Sequence, residues 1–199
     1  MIANQATDPS PDRPAVILEA ACRVVVREGA HGLRMARVAE EAGVSKALVH
    51  YYFSTRQELL RNAFAFSEER WIAAVNADTA DVATGVEKVE RVLLVSVDTK
   101  PPFGEQRALW NEVWSSLRAD DELRPVVERS YRAWLDRVVS LIEEGQLDGS
   151  IPIGVEATTA GVRLAAVADG LDSLLYLGLV DRVKARELIR SSIALELGR

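Results

Sequence analysis

The stretch that decides the fold is Met35–Leu60, which runs MARVAEEAGVSKALVHYYFSTRQELL. Its first part places apolar residues from Val38 to Ala42 on one face of a helix, and Gly43 then interrupts the pattern. Glycine readily adopts the left-handed conformation that ends a helix, and serine is a preferred N-cap, so the next helix is expected to open at Ser45. The stretch therefore predicts a helix, a tight turn and a second helix.

The second helix is short, because Ser54 and Thr55 interrupt the apolar pattern after Phe53. Thr55 and Glu58 have the spacing of a capping box, which predicts that a further helix begins there. Arg56 lies in the first turn of that helix, where backbone N–H groups and the helix dipole also attract phosphate.

The segment AEEAGVSKALVHYYFSTRQELL resembles the DNA-binding segment of the TetR family of one-component transcriptional regulators. The typical segment runs A-x-x-A-G-V-S-K-G-x-L-Y-x-Y-F-x-S-K-E-x-L. The matching residues are Ala39, Ala42, Gly43, Val44, Ser45, Lys46, Tyr52, Phe53, Leu59 and Leu60. The resemblance covers Ile17 to Phe64 and implies a helix-turn-helix domain that binds double-stranded DNA.

The resemblance also implies which side chains meet the DNA. Val44, Val49 and Phe53 are spaced to face the core of the domain, so the remaining positions of the helix point outward. The predicted DNA-binding residues are Arg34, Ser45, Lys46, Ala47, His50, Tyr51 and Arg56. In this prediction the outward face enters the major groove of the operator.

The outward residues have different predicted roles. Lys46 is expected to reach a guanine edge or a phosphate, and Ala47, where the family commonly has Gly, allows close approach or contact with a thymine methyl. His50, in place of a common Tyr, and Tyr51 are expected to touch a phosphate or a base edge. On a helix without this motif, an exposed His and Tyr would more often be ordinary surface residues.

Three further residues are expected to contact the DNA backbone. Ser45 and Arg56 are predicted to fix the register on the phosphates. Family members often begin the helix before Gly43 with Thr or Ser, whose hydroxyl caps the helix and contacts phosphate, and here that position is Leu33 or Arg34. A guanidinium can replace the phosphate contact but cannot cap the helix.

Composition bounds the class of protein. The chain has 199 residues, of which 48% are hydrophobic, and its net charge is -6. Residues 1–62 carry eight Lys and Arg against seven Asp and Glu, whereas the rest carries 16 against 23. This asymmetry has the sign expected of a DNA-binding domain attached to an acidic regulatory domain.

Several classes of function are disfavoured. The single cysteine, Cys22, excludes an internal disulfide and is expected to be a buried small apolar residue. The sequence shows no leader and no long apolar run, so we expect a soluble cytoplasmic protein with no membrane partner. Glycine-rich phosphate loops, nucleophile elbows and metal-ligand spacings are absent, so neither an enzyme nor a cofactor or metal is predicted. The acids Asp169 and Asp172 are expected to be polar surface or interface residues rather than an acid/base pair.

The pattern of the whole chain predicts an all-α protein of about nine helices. Residues 1–13 are expected to form a mobile arm from which Arg13 could touch DNA, residues 14–62 a three-helix DNA-binding domain, and residues 63–199 a helical bundle for ligand binding and dimerisation. The segment WNEVWSSLRADDELRPVVERSYRAWLDRVVSLIEEGQLDG resembles the regulatory domain of betaine-responsive members of the family. In that family the fourth helix transmits ligand binding as a pendulum-like motion that changes the separation of the two recognition helices.

Two further sets of residues are candidates for binding. Tryptophan and tyrosine commonly pack in cores but also build ligand walls, and acids beside them would suit an amine or a quaternary ammonium. The predicted ligand-pocket residues are Trp71, Leu93, Trp110, Trp114, Tyr131, Trp134 and Asp169. The predicted dimer-interface residues are Leu164, Val167, Leu171, Leu174, Leu175, Ile189, Ile193 and Leu197, although packing within one chain explains the same stripes equally well.

The leading hypothesis is a homodimeric repressor that a small-molecule effector releases from a palindromic operator. The alternative is a ligand-independent DNA-binding scaffold whose helical body recruits a protein partner. A dry core around the tryptophans would favour the scaffold, and a cavity with convergent polar groups would favour the sensor.

Overall fold

The computed structural model describes residues 13–97, 103–117 and 121–198. Within these residues the chain forms nine α-helices and no strand. The helices are α1 Arg13–Glu28, α2 Met35–Ala42, α3 Lys46–Tyr52, α4 Arg56–Thr79, α5 Gly85–Val95, α6 Phe103–Ser116, α7 Arg124–Asp148, α8 Ala157–Tyr176 and α9 Arg182–Glu196. The all-α prediction is confirmed. Residues 1–12 of the predicted arm lie outside the described residues, and Arg13 begins α1.

Side chains define most helix beginnings. Ser45 accepts the N–H of Leu48 at 3.1 Å, and Thr55 accepts the N–H of Glu58 at 3.0 Å. Gly43 ends α2 with φ 65°, in the left-handed region that the turn requires. The two helices of the opening stretch and the start of α4 are therefore encoded by local sequence.

The described residues pack into two compact units. The first unit contains residues 13–70, 108–117 and 121–127, and the second contains residues 71–97, 103–107 and 128–198. The core of the first unit includes Ile17, Val24, Leu33, Val38, Val49, Phe53, Leu60, Phe64, Leu109, Val113, Leu123 and Val127. Thus part of α6 and the start of α7 pack with the first unit, although they follow the predicted boundary at residue 63. That boundary stays a prediction from the sequence pattern.

The second unit has its own core, to which α5, α7, α8 and α9 contribute. Its buried residues include Val89, Leu93, Val138, Leu141, Ile142, Leu164, Leu171, Ile189 and Ile193. The start of α5 approaches α7 closely, because a Cβ placed on Gly85 would lie 2.2 Å from the backbone nitrogen of Gly145. Asp148 and Ser150 accept the N–H groups of Gly85 and Val86 at 2.7 and 3.2 Å, which satisfies two donors at this helix end.

Across the described ranges, no helix combines the length and apolar composition needed to span a bilayer. Those same ranges contain no cluster of three or more His, Cys, Asp or Glu side chains that could hold a metal ion.

Candidate nucleic-acid interface

The helix α3 presents one face to the core and the other to solvent. Val49 is fully buried, and Leu48 and Phe53 are nearly so. On the opposite side Lys46, Ala47, His50 and Tyr51 are exposed, and Tyr51 reaches 73% exposure. The ring of Tyr51 packs edge to face against the ring of Tyr52, the next residue of α3, at a centroid distance of 5.0 Å. The face therefore offers a cation, a small residue and two hydrogen-bonding rings together.

Ser45 serves as the N-cap of α3. Its hydroxyl oxygen accepts the N–H of Leu48, while the residue as a whole is exposed. A hydroxyl oxygen that accepts a helix N–H can still donate its own O–H to a phosphate oxygen. The geometry is compatible with both capping and the predicted contact with the DNA backbone.

The arginines near this face divide into paired and free groups. Arg23 and Arg27 both reach Glu41, at 2.9 and 3.0 Å, and Arg37 pairs with Glu28 at 2.7 Å. The hydrogen bond from Arg23, and to a smaller extent that from Arg27, holds the pKa of Glu41 below its ordinary value. These cations are neutralised within the first unit, so α1 and α2 contribute less free positive charge than their composition indicates.

Arg34 and Lys46 are different. Both are exposed, and neither forms an ion pair or hydrogen bond with any residue in the described part of the chain. Arg34 is also the N-cap of α2 and makes no side-chain cap there, as expected for a residue that replaces Thr or Ser. The positive charge available at the candidate interface therefore resides on these two side chains.

Arg56 uses two of its three nitrogens within the protein. Its Nε donates to the carbonyl oxygen of Leu33 at 3.0 Å, and its Nη2 donates to the carbonyl oxygen of Ala30. These carbonyls belong to the connector between α1 and α2, which is far away in sequence. Spacing alone gave no sign of this pairing, because it depends on how α4 packs against the connector.

Profiles of known families match both parts of the chain. The profile described as "Bacterial regulatory proteins, tetR family" matches residues 17–63, and the one described as "BetI-type transcriptional repressor, C-terminal" matches residues 85–198. The chain belongs to the TetR family of bacterial regulators. It is thus a DNA-binding transcriptional regulator with a C-terminal domain of the BetI type, and the prediction that it is no enzyme is confirmed by this membership.

Individual TetR-family proteins show the same similarity. The transcriptional regulator BetI of Brucella suis is 25% identical over 189 residues, which cover 94% of this chain and 92% of that protein. A TetR-family regulator from Rhodococcus sp. has a crystal structure with TM-score 0.81 and 26% identity, covering 94% of this chain and 99% of its own. A regulator from Saccharomonospora viridis, solved with choline, gives TM-score 0.83 at 24% identity over 92% of this chain and 96% of its own, which shows a shared fold.

The seven predicted ligand-pocket residues separate into distinct groups. Trp110 lies in the first unit, where its Nε1 donates to the buried Glu68 at 2.9 Å and its ring meets Phe64 edge to face. Trp114 also belongs to the first unit and is 58% exposed. Leu93 is buried in the core of the second unit.

The remaining four form two contacting pairs in the second unit, and each pair has one member on α7. The rings of Trp71 and Trp134 meet edge to face at a centroid distance of 5.4 Å. One turn before Trp134 on α7, the hydroxyl of Tyr131 donates to the carboxylate of Asp169 on α8. We call these four residues the aromatic–acid cluster. Burial raises the pKa of Asp169, against the opposing effect of the hydrogen bond from Tyr131.

A separate cleft of about 720 Å³ opens on the second unit among α4, α5, α6 and α9. None of the seven predicted pocket residues lines it. Its walls carry acids and arginines, of which Arg91 pairs with Asp78 at 3.6 Å and Arg190 pairs with Glu90 at 2.7 Å. The cleft therefore combines these ion pairs with apolar lining residues such as Leu94 and Phe103.

The predicted dimer stripes lie mostly inside the protomer. The buried members are Leu164, Leu171, Ile189, Ile193 and Leu197, and Val167 and Leu175 pack partly buried against the same core. Of the eight residues, only Leu174 is exposed. The buried members pack within the protomer, as one of the two explanations of these stripes requires. Val167, Leu174 and Leu175 keep part of their surface accessible, so the dimer interface stays a prediction.

Proposed function

We propose that the chain acts in the cytoplasm as a homodimeric repressor that binds a palindromic operator and leaves it when a small molecule binds the second unit. The observation that carries the DNA-binding part is the exposed face of α3, where Lys46, Ala47, His50 and Tyr51 stand together. A cation, a small residue and hydrogen-bonding rings on a short exposed helix suit the major groove.

The operator can be found by selecting bound duplexes from a random library. We expect a palindrome whose half-sites are about 34 Å apart, since each protomer would place one α3 in a major groove on the same side of the duplex. Lys46→Ala should weaken binding and lower the salt slope of log Kd by about 1.8, because the dimer loses one phosphate contact in each half-site and each contact contributes about 0.9. A nonpalindromic consensus, or an affinity unchanged by Lys46→Ala, would contradict this part of the proposal.

We place the dimer interface on the uncovered faces of α8 and α9. Val162, Ala166, Gly170 and Leu174 follow one another at helical spacing on α8, and all are exposed. Leu195 on α9 is 84% exposed. Exposed apolar residues repeated along one helix face support association with a second copy, since dimers of this type bury such faces in a four-helix bundle.

For the effector we propose a quaternary ammonium compound bound at the aromatic–acid cluster. Indole and phenol rings attract cations by their negative faces, with about 0.5–2 kcal/mol for each contact, and the carboxylate of Asp169 supplies the opposite charge. The regulator from Saccharomonospora viridis, which shares the fold, was solved with choline. That relative makes choline the first compound to test.

Calorimetric titration with choline and with 3,3-dimethylbutan-1-ol tests the charge requirement. The alcohol has the shape of choline without its charge, so it retains apolar contacts but loses attraction to Asp169 and the rings. We expect binding of choline and at least tenfold weaker binding of the alcohol. Equal affinities, or no heat with either compound, would contradict choline as the effector and favour the scaffold alternative.

A further inference from the structure

The connector between α1 and α2 is held from two sides. Ala30 and Leu33 are fully buried, so their backbone groups need partners within the protein. The N–H of Ala30 donates to Oε2 of Glu112 on α6 at 3.1 Å. The carbonyl oxygens of Ala30 and Leu33 both accept from the guanidinium of Arg56 on α4. Three backbone groups of these two buried residues are thus satisfied by two charged side chains.

Gly29 completes this arrangement. It has φ 77°, a conformation that residues with a side chain rarely adopt. A Cβ at this position would lie 3.1 Å from Oε2 of Glu112. The glycine therefore both turns the chain out of α1 and leaves room for the carboxylate to reach Ala30.

We call the contacts of Glu112 and Arg56 with the connector the clamp. The clamp lies directly before α2, a helix that has no side-chain N-cap. Arg34 is the N-cap of α2, and its side chain accepts no hydrogen bond from that helix. A missing cap leaves the first turn of a helix less firmly fixed. Arg56 binds the carbonyl of the preceding residue, Leu33, and so fastens the entry to α2 by another route. Since α2 leads to α3 through the turn at Gly43, the position of this entry also sets the position of the recognition helix.

We propose that Glu112 and Arg56 are positioning residues for DNA binding, which clamp the connector between α1 and α2 and so set the angle at which α3 meets DNA. This inference rests on DNA binding through α3. It gives Arg56 a role other than the phosphate contact predicted from its place in the sequence. Glu112, by contrast, has no recognisable motif.

The dependence of operator affinity on salt separates the two roles of Arg56. Each phosphate contact contributes about 0.9 to the slope of log Kd against log salt concentration. We expect Arg56→Ala and Glu112→Ala each to weaken operator binding about tenfold with an unchanged slope, whereas Lys46→Ala flattens it. A flatter slope for Arg56→Ala, or unchanged affinity for Glu112→Ala, would overturn the proposal.

Controls distinguish positioning from a merely structural role. Glu112→Gln retains an oxygen that accepts the N–H of Ala30 and should restore operator affinity, while Asn111→Ala, one residue earlier and exposed, should leave it unchanged. Affinities are compared at a temperature where circular dichroism shows every variant to be folded. A role in stability alone would lower the melting temperature without changing Kd, and that result would also overturn the proposal.

Hydrogen exchange detects the clamp without DNA. In Glu112→Ala we expect faster exchange in the peptide spanning residues 29–34 and unchanged exchange in the centre of α1, because only the N–H of Ala30 loses its acceptor. Unchanged exchange in the connector would contradict the clamp itself. Failure of the wild-type protein to bind any DNA would instead contradict the proposed function, so the two failures are separable.

Discussion

The carboxylate of Asp169 is the ionisable group on which the proposed effector site depends. Burial raises its pKa, so it takes up a proton at a higher pH than an ordinary aspartate. Burial and the bond to Asp169 raise the pKa of Tyr131, which therefore stays protonated, and the neighbouring Asp172 is paired with Arg107 at 3.0 Å. Asp169 is thus the group in this cluster expected to change charge first as the pH falls.

This predicts the pH dependence of choline binding. Above the pKa of Asp169 the carboxylate is ionised and attracts the ammonium, so affinity should be constant there and should fall as the pH drops through that pKa. Asp169→Asn should bind weakly at every pH. Calorimetric titrations from pH 8 down to about pH 4, near the ordinary pKa of an aspartate, measure this. A wild-type affinity that does not change over that range, or the same change in Asp169→Asn, would contradict it.

Cys22 is predicted to be chemically inert in the folded protein. Burial raises the pKa of its thiol to about 12, and Sγ donates to the carbonyl oxygen of Ala63 at 3.3 Å. At pH 8 only about one molecule in ten thousand would carry the thiolate that reacts with disulfide reagents. We expect no release of thionitrobenzoate from native protein within minutes, and prompt stoichiometric release after unfolding in guanidinium. Rapid reaction of the native protein would show that the thiol is accessible.

At the level of helices, the close approach of α5 to α7 requires glycine at residue 85. A methyl group on Gly85 would lie 2.2 Å from the backbone nitrogen of Gly145 and 2.8 Å from the carbonyl oxygen of Leu141, so the two helices would have to separate. We expect Gly85→Ala to lower the free energy of unfolding by about 1–3 kcal/mol, measured by urea denaturation. Gly154→Ala is the control, since a Cβ there meets nothing within 4 Å. Equal stability of the two variants would contradict the close packing.

Helix boundaries could be predicted from the sequence because they are encoded locally. The turn at Gly43, the cap at Ser45 and the start of α4 after Thr55 each depend on residues within one helical turn. The division of α3 into a buried and an exposed face also follows from spacing, since side chains about 3.6 residues apart lie on the same face of an α-helix.

The partners of each helix could not be predicted in the same way. The stripe through Leu164 and Leu171 specifies an apolar face, but the same face fits a helix of its own chain or of a second copy. Trp110 is a residue type that often lines ligand pockets, but its ring packs against Phe64 in the core of the first unit. Glu112 and Arg56 meet the connector only because of tertiary packing, and a periodic pattern carries no information about such contacts.

At the level of the whole molecule, the proposed dimer depends on a face that the protomer leaves uncovered. A Cβ on Gly170 meets nothing within 4 Å, so a large side chain fits the isolated protomer. Gly170→Arg should fold normally yet place bulk and charge in the interface, which predicts a monomer in sedimentation velocity and loss of operator binding at nanomolar concentration. Gly154→Arg, equally open in the protomer, should remain dimeric. A dimeric Gly170→Arg variant would exclude this face.

The coupling between effector and DNA is the central claim, and fluorescence anisotropy of a labelled duplex carrying the selected operator tests it most directly. Titrations of the wild-type protein are made with and without saturating choline, at one salt concentration. We expect tight, sequence-specific binding without choline and at least tenfold weaker binding with it, which corresponds to a coupling free energy of about 1.4 kcal/mol or more. Specific binding that choline leaves unchanged would contradict release by this effector.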